Sequence, residues 1–243
     1  MTSATPARAF ELRHVQLARA MFAAIAAVMI TFSPDHSAGI GLSVFSGFAI
    51  ATGLIFGLAA WLVLRAGQRW VGVTMGIVSL LAGMVGGITT ARSTTLFFVV
   101  VIVWALATGL TETVAGARAL RAAAPGVSAE RAAARDALTV GVITLVFGAA
   151  LLFVPTQYAL QYYIAEADRS FTLTGITIGV GVLGGYAAIV AVYLAIAGFS
   201  PRRDADAVTT DGSSAVAQAA ASTSTSRASA DLRTTEEAPG GTA

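Results

Sequence analysis

The chain has 243 residues, of which 56% are hydrophobic and 12% charged, with a mean hydropathy of +0.77 and a formal net charge of +2. That balance lies far outside a soluble domain and points to a membrane protein. With no cysteine and only His14 and His36 as imidazoles, the composition excludes disulfides, thiolate catalysis, Cys-ligated metal centres and a histidine metal cluster.

Six stretches are apolar over the roughly 17 to 25 residues that a helix needs to cross a hydrocarbon core. They cover residues 17–33, 39–64, 70–90, 95–117, 135–155 and 171–199. The expected architecture is therefore an all-α integral membrane protein: an N-terminal segment over 1–13, a six-helix membrane domain over 14–199, and a tail over 200–243. The first span, with Arg8 and Arg13 before it and Arg19 in its first turn, resembles a secretory signal. The residues Phe32, Ser33, Pro34, Asp35 and His36 that follow it are nevertheless a poor peptidase site, so retention is expected.

In the first loop, 33–38, Asp35 and His36 either form a polar turn beside Pro34 or titrate as a proton-sensitive pair. The second span contains the start of an internal echo. Residues 46–65 (SGFAIATGLIFGLAAWLVLR) and 102–121 (IVWALATGLTETVAGARALR) match without gaps at eight of twenty positions, a period of 56. The spacing of 19 residues from Pro34 to Gly53 recurs from Thr90 to Gly109, and Ser37 falls on Ser93. Three tandem two-helix hairpins follow as the expected plan, at about 17–65, 70–121 and 129–199. Small residues at helical spacing, among them Thr52, Gly53, Gly57, Thr108, Gly109, Gly116, Gly181 and Gly185, are expected to form close packing seams, or in one case a homo-oligomer contact.

The fourth span contains an acid, Glu112, about 9 Å past its middle at ~1.5 Å per residue. An ionised carboxylate at such depth costs on the order of 2.5 kcal/mol or more, so it must be protonated, paired or turned toward an internal cavity. Its helical neighbours Ala105, Thr108, Gly109, Ala115, Gly116 and Ala119 are small, which turns Glu112 into a helix interface; in the first hairpin the same position is Phe56. Two readings stand side by side. Glu112 is a packing group held by Thr108 or a neighbouring helix, or it is a proton-sensitive carboxyl, the seat of a sensor or of proton-coupled transport.

Beyond the fourth span, Pro125 and Gly126 break the chain and Ser128 can cap a helix with Glu130 in its first turn. Arg118, Arg121, Arg131 and Arg135 form a basic patch suited to anionic headgroups, so lipid is the expected partner and nucleic acid is not. The third hairpin carries about eleven extra residues, because Pro155 and Gly185 stand 30 apart. In this loop, 156–170, Tyr158, Leu160, Tyr162 and Ile164 are spaced to share a broad helical face, predicting a short interfacial helix. Tyr158, Tyr162, Tyr163, Glu166 and Asp168 are its candidate residues for docking a membrane protein partner or lipid.

The arginines orient the chain. All 15 basic residues are Arg, and with the N-terminus inside, thirteen lie on the inner side and only Arg92 and Arg169 outside, which predicts both termini in the cytoplasm. From residue 201 on, the composition turns to Ser, Thr, Ala, Asp and Gly, too poor in large apolar groups to bury a core, so a disordered cytoplasmic tail is expected.

The three hairpins, the turn Pro34, Asp35, His36, Ser37, the Gly-rich second helix ending in Leu64 and Arg65, and WVGVTMGIVSLLAG over 70–83 are together similar to the HdeD-like family of bacterial acid-resistance membrane proteins. The resemblance covers about 13–198. It departs at Thr90, which replaces the turn proline of the second hairpin, and in the tail. It implies a six-helix protein of the bacterial inner membrane linked to acid or envelope stress, with no catalytic residues to transfer. No cofactor or metal site is expected. A non-enzymatic stress protein, an accessory subunit of a membrane complex, and a small proton-coupled transporter using Glu112 are the three functional expectations.

Overall fold

The computed structural model of the protein describes residues 11–64, 67, 69–123, 128–164 and 168–200. Six helices dominate it: α1 Leu12–Thr31, α2 Ala38–Leu62, α3 Arg69–Gly87, α4 Thr94–Ala122, α5 Ser128–Leu152 and α6 Gly175–Phe199. All six are long and apolar enough to cross a membrane. α1 and α5 begin several residues before the apolar runs that predict them, because polar residues with adequate helix propensity extend each run toward its N-terminus.

The starts of α2, α4 and α6 share one device. Ser37, Ser93 and Thr174 stand at the N-caps in extended conformation, and each side-chain oxygen accepts from the backbone N–H three residues on, at Ile40, Leu96 and Thr177. Each cap satisfies one of the N–H groups that a helix leaves unpaired at its start. At the first of them Asp35 adds a second layer, accepting from the Ser37 backbone N–H at 2.9 Å and from its hydroxyl at 2.7 Å.

The most extensive helix contacts are α2 with α3 and α1 with α6. α1 and α2, which make up the first predicted hairpin, meet less fully. Glycine sets these seams. A methyl group at Gly53 would lie 2.9 Å from the Gly76 carbonyl oxygen, and one at Gly109 3.0 Å from the Gly141 carbonyl oxygen, so α2 and α3, and α4 and α5, approach backbone to backbone. α6 meets α1 where Gly184 faces Ile30 and Gly198 faces Leu17. The core runs through the middle of this arrangement, with Phe45, Leu42, Phe97, Val101, Leu183 and Val180 fully buried on α2, α4 and α6.

Three of the glycines proposed as seam residues fall elsewhere. Gly57 offers its backbone to Gly76, but its own Cβ position is open. Gly181 and Gly185 meet nothing within 4 Å, while Gly179 and Gly184 take the seam, against Phe98 and Ile30 respectively. The reason is helical phase: Val180, Leu183 and Ala187 turn the buried face of α6 inward, and this carries 181 and 185 outward.

The all-α expectation needs one correction. The loop before α6 is a β-hairpin, β1 Ala159–Ile164 and β2 Arg169–Thr174, antiparallel with Leu160 opposite Leu173 and Tyr163 opposite Ser170. No interfacial helix forms over Tyr158 and Tyr162, and α6 starts at Gly175 rather than 171. The stretch fits a two-residue period as well as a helical one and is rich in aromatic and β-branched residues. Cross-strand pairing also satisfies backbone groups that a short isolated helix cannot hold.

The helices and the hairpin belong to one compact unit, residues 1–123 and 130–201; a second, residues 124–129 and 202–243, lies almost wholly outside the described residues. The tail expected to be disordered, from 201 on, is therefore not described, and neither is Glu166.

Candidate functional site

Glu112 does not sit in the bundle alone. Arg19 of α1 donates to both of its carboxylate oxygens, Nη1 to Oε1 at 2.8 Å and Nη2 to Oε2 at 3.2 Å. Both side chains are withdrawn from the surface, at 13% and 8% exposure. The two-pronged geometry matches the planar guanidinium to the planar carboxylate, the strongest form of such a pair. The guanidinium carbon also lies 4.5 Å from the centroid of the Phe56 ring on α2. Phe56 and Glu112 are separated by the 56-residue period, so the two equivalent positions present a π face and a carboxylate to one guanidinium.

This corrects the placement of Arg19. Its sequence position suggests a charge at the inner surface, but α1 begins at Leu12, and this sets Arg19 two turns inside the helix, facing α2 and α4. One turn earlier, Gln16 Nε2 donates to Asp136 Oδ2 of α5 at 3.0 Å, and Tyr193 Oη of α6 donates to Asp136 Oδ1 at 3.2 Å. Polar residues three apart on one face of α1 thus tie it to α4 and α5, and Tyr193 of α6 joins through the same Asp136. The spacing of Gln16 and Arg19 is the signal that could have identified them.

Beside the pair lies a small space lined by Arg19, Thr52, Thr108, Glu112, Thr144 and Tyr186 on its polar side and by Phe48, Met75, Trp104 and Val190 on its apolar side. Around it Thr108 Oγ1 donates to the Trp104 carbonyl at 2.7 Å. Thr144 Oγ1 donates to the Val140 carbonyl at 2.8 Å and lies 3.0 Å from Tyr186 Oη. Trp104 Nε1 donates to Ser79 Oγ of α3 at 3.1 Å. Rings close the far wall, Phe147 stacking on Tyr186 at 4.3 Å and Phe45 and Phe48 meeting Trp104 edge to face. Of the predicted residues, Thr52, Thr108 and Glu112 come together here, with Gly109 and Gly116 beneath them in the α4–α5 seam.

Asp35 and His36 do not join this site. They lie before the N-terminus of α2, and the 18 residues from Ala38 to Phe56 correspond to about 27 Å of helix. Among the described residues no group of three or more His, Asp or Glu side chains could hold a metal.

The β-hairpin is a separate exposed surface. Tyr158, Leu160, Tyr162 and Tyr163 are all exposed, and Tyr163 Oη donates to Asp168 Oδ1 at 2.6 Å. Asp168 adopts φ 47°, in the left-handed region that Asp tolerates better than most residues. The bond to a carboxylate, with a smaller contribution from burial, raises the Tyr163 phenol above its ordinary value of 10.0. A raised folded value means that the bond's contribution is complete below pH 10 and is lost as the pH climbs through the raised value. Ultraviolet titration of Asp168→Asn is therefore expected to bring one phenol back toward 10.0 compared with the wild type; an unchanged titration curve would contradict the bond.

No family model, curated protein or solved structure matches this chain.

Proposed function

We propose that this is a non-enzymatic multi-pass protein of the bacterial cytoplasmic membrane, with both termini inside, that serves in acid or envelope stress by acting on the membrane or on a partner protein. The observation that carries the reading is that the buried charge of the bundle is spent internally. Arg19 and Glu112 neutralise each other, and the space beside them has room for about one water. That favours a structural or binding role over proton-coupled transport, which calls for a carboxyl not committed to a counter-charge.

Three hairpin repeats are part of this proposal. They are supported by the equivalent N-caps Ser37, Ser93 and Thr174, and by Gly53 meeting Gly76 and Leu80 as Gly109 meets Gly141 and Leu145. The likeness to HdeD-like proteins rests on repeat order and spacing, and the stress role is drawn from that likeness. A second reading, an accessory subunit that holds a membrane partner, is favoured by the exposed tyrosines of the β-hairpin.

The test is survival of a deletion strain after an acid pulse, with and without a plasmid copy of the gene. Lower survival restored by the copy is expected. Equal survival of deleted and parental strains would remove the stress role. Stoichiometric co-purification with another membrane protein, lost on changing Tyr158, Tyr162 and Tyr163 to Ser, would then establish the accessory-subunit reading.

A further inference from the structure

Thr52 and Thr108 occupy equivalent positions one 56-residue period apart, and both line the small space beside the Arg19–Glu112 pair. They differ in one respect. Thr108 donates its hydroxyl to the carbonyl four residues back, as do Thr111 and Thr144, whereas the Thr52 hydroxyl, in a residue only 4% exposed, has no hydrogen-bond partner. A buried hydroxyl left unpaired costs about 1–3 kcal/mol, so such groups are nearly always satisfied by protein or by an ordered water. About 10 Å³ is open there to the centre of a water-sized sphere, close to the minimum for one water.

From this geometry we propose that the space is a binding site for a single water, bonded to Thr52 Oγ1 and to the Glu112 carboxylate, which joins α2 to the Arg19–Glu112 pair. A water needs two to four polar partners, and this wall supplies both kinds. Glu112 accepts only one bond from Arg19 on each oxygen, so lone pairs remain for a donor. Thr144 spends its proton on Val140 and thereby takes that of Tyr186, so the Tyr186 oxygen is left as a further acceptor. The ligand is neutral water rather than a sodium ion, although five of the lining groups offer oxygen. Arg19 already balances the charge of Glu112, and its guanidinium on the wall would repel a second cation. The site stands independently of the stress role.

Radiolytic hydroxyl labelling of the purified full-length protein tests this, because a bound water is activated in place and oxidises the buried side chains beside it. Met75, Trp104 and Tyr186 line the space and are buried, so without a resident water they should resist labelling. The expected result is clear oxidation of Met75 and Tyr186 in the wild type, several-fold slower oxidation in Thr52→Val, and retained oxidation in Thr52→Ser. Silent Met75, Trp104 and Tyr186 in the wild type would overturn the proposal, and so would equal labelling in Thr52→Val. If the valine variant fails to fold, the wild type and the serine variant still decide. Labelling that falls when sodium replaces choline at equal ionic strength would place a cation in the site and overturn the assignment to water.

Discussion

Arg19→Ala is expected to lower the stability of the bundle by roughly 3–5 kcal/mol, the usual cost of removing one partner from a buried ion pair. The deletion leaves the Glu112 carboxylate among Thr108, Gly109 and Gly116 with no counter-charge, and it also removes the guanidinium from the face of Phe56, a contact worth about 0.5–2 kcal/mol. Glu112→Ala should cost a similar amount, because it strands the arginine instead. The double variant Arg19→Met, Glu112→Leu is the informative one. Taking both charges out of a low-dielectric interior removes their desolvation penalty, so it should recover most of the loss and come within ~1 kcal/mol of the wild type. Arg19→Lys should fall between, since an ammonium keeps the charge but makes neither the bidentate bond nor the stack. Denaturant unfolding in mixed micelles measures all four against the wild type. Single variants that each cost less than ~1 kcal/mol would show that the pair does not tie α1 to α4.

Gly116→Ala and Gly141→Ala are expected to destabilise the α4–α5 seam by about 1–3 kcal/mol each, although alanine is the better helix former. A methyl group at Gly116 would sit 2.6 Å from the Leu138 backbone nitrogen and 2.9 Å from the Ala134 carbonyl oxygen. At Gly141 it would sit 2.5 Å from the backbone nitrogen and the hydroxyl oxygen of Thr113. These neighbours are largely backbone, which cannot rotate aside as a side chain can, so the helices themselves must part. Gly185→Ala is the opposite case. Nothing lies within 4 Å of its Cβ position, so the helix-propensity gain of up to ~1 kcal/mol should appear undiminished. The contrast in sign between positions of equal sequence character is the measurement. Three equal effects would contradict the seam assignment.

The number of helices long and apolar enough to cross a membrane was legible in the sequence because it follows from hydropathy, a property that each segment carries by itself; their ends were not, α5 and α6 starting at 128 and 175 rather than 135 and 171. The burial of Glu112 was legible for the same kind of reason: small residues at helical spacing around it left only one face for it to take. The glycine pattern was legible only in part. Periodicity shows which residues share a face of α6 but not which of two faces is inward, so Gly181 and Gly185 read as a seam in the sequence, whereas Gly179 and Gly184 take it because Val180 and Leu183 turn inward. The strand pair over the tyrosines was ambiguous in period and was decided by pairing between residues five to fifteen apart, such as Leu160 with Leu173.

Hydropathy read along the chain is enough to establish six apolar helices and the presence of one acid deep in the fourth. Which residue answers that acid was decided only by the tertiary structure. Arg19 lies 93 residues from Glu112 and reads as an ordinary flanking arginine. It becomes the partner because α1 starts early enough to bury it and packs where its guanidinium reaches both Phe56 and Glu112. A local pattern can show that a buried charge needs compensation; only the packing of separate helices determines which distant side chain supplies it.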